Sequence, residues 1–577
     1  MSIHSTFDPD MMKKLPIGYE SFEEIISGNF YYVDKTGLIK ELLDRGGKVN
    51  LFTRPRRFGK TLNLSMLKYF FQIGMNLLGE PADYASLFDG LYISSFGEQY
   101  MKYQGQYPVI SLTLKSAEQS DFKTAYALLR RQIAKEFFRH RYVLENERLR
   151  AKEESYWELM QEKADLDSYV DSIAFLSECL YRYHGKKVII LIDEYDVPLE
   201  SSYFGGFYKE MVGFIRSLFE SGLKTNEYLE KAVLTGCLRI SRESVFTGMN
   251  NLTINSILST NYGEYFGFTE AEVSAMCKEY LMPEKEPDFQ RWYNGYIFGE
   301  VNVYNPWSVI LQLDRYLDDK NAFPISHWAN TSSNSIVRSM IERADRAAKD
   351  EIEAVIRGET VEKPVHEDIT YDEIYESMDN LWNFMFFTGY FKKVDMRMEE
   401  PQRYVTMALP NMEVRYIFEE KIKRWFLKDV VGKCDRNILF HAIASGNAEV
   451  VGEEIERLLK PAISYHDFYE QFYHGFLTGI LTGMGDYVVK SNRESGNGRS
   501  DLYLRPLTSR EKAYIFEFKV AKKRDELSEK AEEALTQIEE KQYDRALTED
   551  VFHLLVHYGI SFCGKECCVC VKDVGWI

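Results

Sequence analysis

Gly59-Lys60-Thr61 stands where a short apolar run, Val49-Asn50-Leu51-Phe52-Thr53, passes through Arg54-Pro55-Arg56-Arg57-Phe58 into an amphipathic stretch. A strand, a tight loop and a helix in that order present backbone N–H groups and a helix N-terminus to phosphate oxygens. A lysine at this point reaches the β- and γ-phosphates, and a threonine hydroxyl ligates magnesium. Arg57, Phe58 and Gly59 then line the phosphates beside Lys60 and Thr61. The pattern G-x-x-x-x-G-K-[ST] lacks its first glycine, because Arg54 occupies that position. On these residues alone, Thr61 reads equally well as an ordinary helix N-cap.

A second motif bears on that choice. Val188-Ile189-Ile190-Leu191-Ile192 is a buried-strand pattern ending in Asp193 and Glu194, about 130 residues after Thr61. An acid at a strand's C-terminal end holds magnesium, so Asp193 and Thr61 form a candidate metal pair, and Glu194 can polarise the attacking water. A third strand, Ala232 to Gly236, places Thr235 where a γ-phosphate would lie. Arg239 and Arg242 follow, either to stabilise transferring charge or as plain surface arginines.

A separate constellation lies near the C-terminus. Asp501 opens Asp501-Leu502-Tyr503-Leu504, and Ala513 to Lys519 forms a second alternating stretch. Glu517 and Lys519 are two apart and share a strand face. If the two strands pair, Asp501 approaches Glu517. Two carboxylates sharing magnesium or manganese beside a lysine form a phosphodiester-cleaving arrangement. Glu470 and His474 share a face of the preceding helix, and Glu470 can add a carboxylate. Gln537, on the following charged helix, can line the same cleft. The plainer alternative is a surface salt bridge between Glu517 and Lys519.

The elements needed to position these groups are legible in outline. A chain of 577 residues exceeds one hydrophobic core. Its 45% apolar and 28% charged residues are those of a soluble globular protein. No apolar run approaches the roughly 18 residues of a membrane span, and no basic-then-apolar leader opens the chain, so a cytoplasmic protein is expected. Continuous rather than alternating hydrophobicity in the first strands suits a parallel sheet covered on both faces. The expected class is α/β: a P-loop NTPase sheet flanked by helices over residues 1–260, a mostly helical middle over 261–435, and a C-terminal α/β domain over 436–577. The net charge of −18 argues against indiscriminate nucleic-acid binding. Yet Lys490 to Arg524 holds ten Lys/Arg against four Asp/Glu, a local +6 that suits a phosphodiester substrate. Arg499, Arg505, Arg510, Lys522, Lys523 and Arg524 are its candidate phosphate contacts. The cluster Cys563, Cys567, Cys568 and Cys570 has the wrong spacing for paired C-x2-C knuckles and reads as small thiols rather than a zinc site.

At this level of detail the chain resembles a known family. LPIGYESFEEI, YYVDKTGLIKEL and FTRPRRFGKT look like the AAA-ATPase-like family of bacterial proteins, in which the arginine-rich loop is usual. LIDEYDVPL, LTGCLRISRESVFTGMNNL, WYNGYIFG, VYNPWSV, HWANTSSN, FFTGYF and ALPNMEVR continue the likeness. SNRESGNGRSDLYL and FEFKV resemble its C-terminal module, a PD-(D/E)XK nuclease-like domain. The resemblance implies Lys60 and Thr61 on phosphate and magnesium, Asp193 and Glu194 as the acidic pair, and Asp501, Glu517 and Lys519 as the nuclease triad. It implies ATP and magnesium as ligands, DNA or RNA as the C-terminal partner, and a role in defence or nucleic-acid processing. Two alternatives stand beside an ATP-dependent nuclease: an ATP-driven switch or scaffold whose second domain only binds, and a signalling ATPase sensed through the middle region.

Overall fold

Val49–Thr53 (β1) is buried at all five positions, as is Val188–Asp193 (β3) at all six. Strands with no exposed face belong in the middle of a sheet covered on both sides. The computed structural model places β1 and β3 with Val109–Thr113 (β2), Leu229–Gly236 (β4) and Leu252–Asn255 (β5) in one sheet of order β2-β3-β4-β1-β5. Every pairing in it is parallel. The structure describes residues 12–576 apart from 77–79, 239–244, 247–248, 329–336, 338–339, 341, 368–370, 372, 375, 426–434, 460–469, 483, 486, 496–497, 508–510 and 542–553.

The described residues fall into two compact units, Met1–Ile336 with Thr360–Tyr416, and Val337–Glu359 with Ile417–Ile577. In the first, the helix Lys60–Phe71 follows β1 and buries Leu64, Leu67, Phe70 and Phe71. Full burial of such side chains contributes roughly 1.5–3 kcal/mol each. Parallel strands bring their C-terminal ends to one edge of the sheet, and there the loops after β1, β3 and β4 meet. The rest of this unit is helical in the main, with two small antiparallel sheets set into it. Phe268–Thr269 (β6), Tyr296–Phe298 (β7) and Val301–Tyr304 (β8) form one. Val361–Val365 (β9), Lys392–Glu399 (β10) and Gln402–Ala408 (β11) form the other.

The second unit is built on Tyr487–Ser495 (β12), Gly498–Pro506 (β13), Ala513–Val520 (β14), Leu554–Cys563 (β15) and Glu566–Trp576 (β16), paired in sequence order. All pairs are antiparallel except β14 and β15. A parallel pair needs a crossover, and the helix Leu527–Glu540 lies on that connection. Alternation in β13 and β14 sends Leu502, Leu504, Phe516 and Phe518 into a core shared with the helix Glu470–Leu481. Tyr503, Ala513 and Ile515 face the other way and pack with Ile538. The helix Leu527–Glu540 lies close over β15: a Cβ built on Gly559 would fall 2.3 Å from the Ala531 carbonyl oxygen. Among the described residues no helix is long and apolar enough to cross a membrane.

Candidate active sites

The loop after β1 is shaped by two left-handed residues, Arg57 at φ 73° and Gly59 at φ 77°. Such turns aim successive backbone N–H groups at a common point, an anion-binding concavity. For Arg57, which has a Cβ, this conformation costs on the order of 1 kcal/mol. Gly59 caps the helix Lys60–Phe71. Lys60 is buried and folds under the loop, its Nζ donating to the carbonyls of Arg54 at 3.0 Å and Pro55 at 2.9 Å. Arg54 points downward into the core. Its Nη1 donates to the carbonyls of Thr53 and Asn255, at 2.9 and 2.7 Å. Its guanidinium lies about 5 Å from the ring centres of Phe266 and Phe298. Burial pushes its pKa down; the two carbonyls and two aromatic faces compensate the charge in place of a carboxylate. The residue that breaks the glycine pattern therefore ties the base of the loop to β5.

Thr61 donates its hydroxyl to Asp193 Oδ2 at 2.6 Å, and Thr235 donates to Asp193 Oδ1. Asp193 ends β3, and β4, which carries Thr235, lies between β3 and β1. One carboxylate thus joins the ends of β3 and β4 to the start of the helix that follows β1. Glu194, next along, is left-handed at φ 52°. Burial and the neighbouring Asp193 raise its pKa, against Lys60 and Lys115, which lower it. A cleft of about 330 Å³ is lined by Arg56, Arg57, Lys60, Thr61, Glu194 and Trp307 among others. Arg57 lies 4.4 Å from the Trp307 ring centre, and Arg56 is bound to Glu200 at 2.6 Å. The Phe58 side chain is fully buried against Tyr296 and Phe298, so only its backbone faces the loop. Arg239 and Arg242 lie outside the described residues.

In the second unit, the β13–β14 ladder reaches Leu502↔Phe516. Past that point Asp501 replaces the ladder with its side chain, Oδ2 accepting the Phe518 N–H at 2.8 Å. Its own N–H donates to Glu517 Oε2 at 3.3 Å. Lys519 Nζ lies 3.4 Å from Glu517 Oε1, and Gln537 donates to that same oxygen. Glu517 is 3% exposed. Burial, and Asp501 beside it, push its pKa up to about 7. Burial raises Asp501 as well, against the Phe518 N–H, His474 and Lys519. His474 Nε2 meets the Asp501 carbonyl oxygen at 2.7 Å; a carbonyl only accepts, so this nitrogen carries the proton. Glu470 opens the helix, but its side chain lies outside the described residues. The side chains of Arg499 and Arg510 do too, whereas Lys522 and Lys523 are exposed just past β14. Arg524 pairs with Glu566. Among the described residues no three His, Cys, Asp or Glu side chains converge as a metal cluster. The acidic donor set here is the pair Asp501 and Glu517.

Residues 16–246 match the family model described as "Predicted AAA-ATPase". Residues 468–572 match the model of the PD-(D/E)XK nuclease superfamily. The chain joins an AAA-ATPase-like domain to a PD-(D/E)XK nuclease-like domain. A curated relative, "Uncharacterized protein in vnfD 5'region" of Azotobacter chroococcum mcd 1, is 29% identical over 304 residues, covering 52% of this chain. The chain spans about half the length of that relative, 51%. The first match contains Lys60, Thr61, Asp193, Glu194 and Thr235; the second contains Asp501, Glu517, Lys519 and Gln537.

Among the cleft residues to which the sequence assigns no role are Trp307, Lys115 and Asn63. Trp307 lies within VYNPWSV, where Asn305 N-caps the helix Pro306–Asp318. Proline after a capping asparagine marks a helix start, but nothing local says that this helix start reaches the P-loop.

Proposed function

We propose that this chain hydrolyses a nucleoside triphosphate, ATP, at the P-loop and uses it to govern a metal-dependent phosphodiesterase acting on DNA or RNA. The observation that carries the nucleotide half is the hydrogen bond from Thr61 to Asp193. It sets a strand-end acid directly under the P-loop hydroxyl, which an ordinary helix N-cap does not require. Lys60 would exchange the Arg54 and Pro55 carbonyls for phosphate oxygens, which are stronger acceptors for an ammonium. Thr61 and Asp193 would hold magnesium. Glu194 would orient the attacking water and take its proton. Its raised pKa makes it a better base than a solvated glutamate.

In the second unit, two carboxylates with one lysine between them leave excess buried negative charge, and oxygen donors of this kind fit a hard divalent cation. Asp501 and Glu517 would hold magnesium or manganese, which when bound lowers the pKa of a water and balances charge on the phosphorane. Lys519 would orient the nucleophile, Gln537 fixes Glu517, and Lys522 and Lys523 would meet the polynucleotide backbone.

The test is cleavage of DNA and RNA by the purified chain with magnesium or manganese, with and without ATP. Asp501→Ala and Lys519→Ala should abolish cleavage and leave ATP turnover unchanged. Lys60→Ala should abolish ATP binding; wild-type affinity in that variant would remove the P-loop assignment. If the wild type cuts neither polymer under any nucleotide, the second unit only binds and the chain is an ATP-driven switch.

A further inference from the structure

The small sheet of β9, β10 and β11 has one long strand with an open side. β10, Lys392 to Glu399, runs along the sheet's outer edge and is paired with β11 alone among the described strands. Lys393 anchors its start, Nζ donating to the Gly299 carbonyl at 2.7 Å. From Val394 to Glu399 every residue is exposed. Yet apolar side chains stand at every second position there: Val394, Met396 and Met398 are 51%, 41% and 63% exposed. A charged edge resists pairing with another chain, whereas an exposed apolar one invites it.

The backbone is open there as well. The Met396 N–H donates to the side chain next to it, Asp395 Oδ1, at 2.8 Å, so it is not committed to β11. The N–H and C=O of one strand residue point to the same side, so Met396 offers both to the open edge. The charges along the strand decide what can pair with it. Lys392 and Lys393 open it, Glu399 and then Glu400 follow at its end, and Asp395 and Arg397 flank Met396. Turned end for end about Met396, the strand sets its basic start against its acidic end and Asp395 against Arg397. Sliding one copy two residues either way sets Asp395 or Arg397 against its own counterpart, which repels. Arg397 is held in place for the attractive register, 4.4 Å from the Tyr404 ring centre and bonded to Glu362 and Glu399. Asp395 has the Met396 N–H and enters no ion pair among the described residues. The bulge between Lys393 and Asp395 lies outside these central pairs.

We propose that β10 is a self-association edge: two copies of this chain pair antiparallel through it, with Met396 opposite Met396 and Asp395 opposite Arg397. The two Met396 residues exchange a pair of backbone hydrogen bonds. The two small sheets thereby join into one of order β9-β11-β10-β10-β11-β9. Asp395 releases the Met396 N–H to the ladder and turns to Arg397 of the second copy. Met396 covers its own counterpart, withdrawing both side chains from water. A contact of this two-fold kind uses the same patch on both copies and closes at a dimer. The strand has eight residues, fewer than the roughly 20–30 a side of a standard interface, so the association is reversible and concentration-dependent.

The test is sedimentation velocity of the full chain over a range of concentrations. The wild type should pass reversibly from monomer to dimer as concentration rises. Met396→Lys, which meets its own charge across the two-fold, should raise the dimer dissociation constant roughly tenfold or more. Asp395→Arg and Arg397→Asp should each do the same, because each sets like charges opposite one another. Mixed in equal amounts, those two variants should dimerise again, since every basic side chain of one then faces an acidic one of the other. That recovery is specific to this antiparallel register, and it shows at once that both variants are folded. A wild type that stays monomeric up to its solubility limit would overturn the proposal and leave the edge for a strand of another protein. Dimerisation unaffected by Met396→Lys would overturn it as well, because the copies then meet elsewhere. So would a mixture that associates no better than either variant by itself while both keep the wild-type circular dichroism.

Discussion

Replacing Glu517 by Gln should make the metal-free second unit more stable at pH 8 while destroying its activity. The Glu517 pKa stands at about 7 against an ordinary 4.5. Each tenfold change in proton affinity is worth about 1.4 kcal/mol, so the ionised carboxylate costs the fold roughly 3 kcal/mol. Between pH 4.5 and 7 the folded chain binds more protons here than the unfolded chain does. Its stabilising contribution is therefore complete below about 4.5 and is lost as pH rises through 7. Gln has no such loss. It keeps an oxygen for Gln537 and Lys519 but gives up the acceptor that Asp501 N–H uses, which costs about 1 kcal/mol. The net gain at pH 8 is about 2 kcal/mol, and near pH 5 it vanishes. Hydrogen exchange of the β14 amides in the full chain reads this directly, as protection roughly 30-fold higher in Glu517→Gln at pH 8. Saturating magnesium should reverse the order, because ligand binding stabilises only the chain that binds it. Faster exchange in Glu517→Gln at pH 8 without metal would refute the reasoning, since the charge would then not be a burden on the fold.

Glu194→Gln should bind ATP as the wild type does and hydrolyse it roughly 10²–10⁴-fold more slowly; unchanged phosphate release would take Glu194 out of the base role. Because burial and Asp193 hold its proton, wild-type turnover should fall with acid at a pH above the usual carboxylate range, which a pH–rate profile would show. Gly559→Ala places a methyl 2.3 Å from the Ala531 carbonyl oxygen and 2.6 Å from the Leu535 N–H. The helix carrying Gln537 must then shift, at a cost of roughly 1–3 kcal/mol. Weakened manganese binding should accompany the lower melting temperature, while ATP affinity stays unchanged.

What could be read from the chain alone followed local pattern. β1 and β3 were legible because continuous apolar runs have one economical home, the middle of a parallel sheet. Asp501, Glu517 and Lys519 were legible because a two-residue strand period fixes which side chains share a face. The details that were not legible depend on tertiary contact. Phe58 lies in a phosphate-loop motif, yet its ring packs on β7, a strand about 240 residues away in the chain. His474 reaches the Asp501 carbonyl oxygen, a contact that periodicity could not name because helix rotation against the sheet is decided by packing.

The two sites share a physical design that neither motif states. Each has adjacent acids treated differently. Asp193 and Asp501 spend oxygens on fixed donors, the hydroxyls of Thr61 and Thr235 in one case and the Phe518 N–H in the other. That holds the first acid in place. The second acid, half-buried Glu194 or buried Glu517, has its pKa raised by desolvation first and by the first acid's charge next. Crowding two carboxylates this way is unfavourable for the fold by itself, and it makes the second carboxylate seek a proton or a cation. On the proposed reading the supplier at Glu194 would be the water being activated, so the raised pKa would favour a base. At Glu517 the lysine and Gln537 engage Oε1 and the Asp501 N–H engages Oε2, so on the proposed reading an ion would share Oε2 with that N–H and draw its other oxygens from the Asp501 carboxylate. The same electrostatic strain would thus serve proton transfer at one end of the chain and metal capture at the other, and only the side chains beside the second acid decide which.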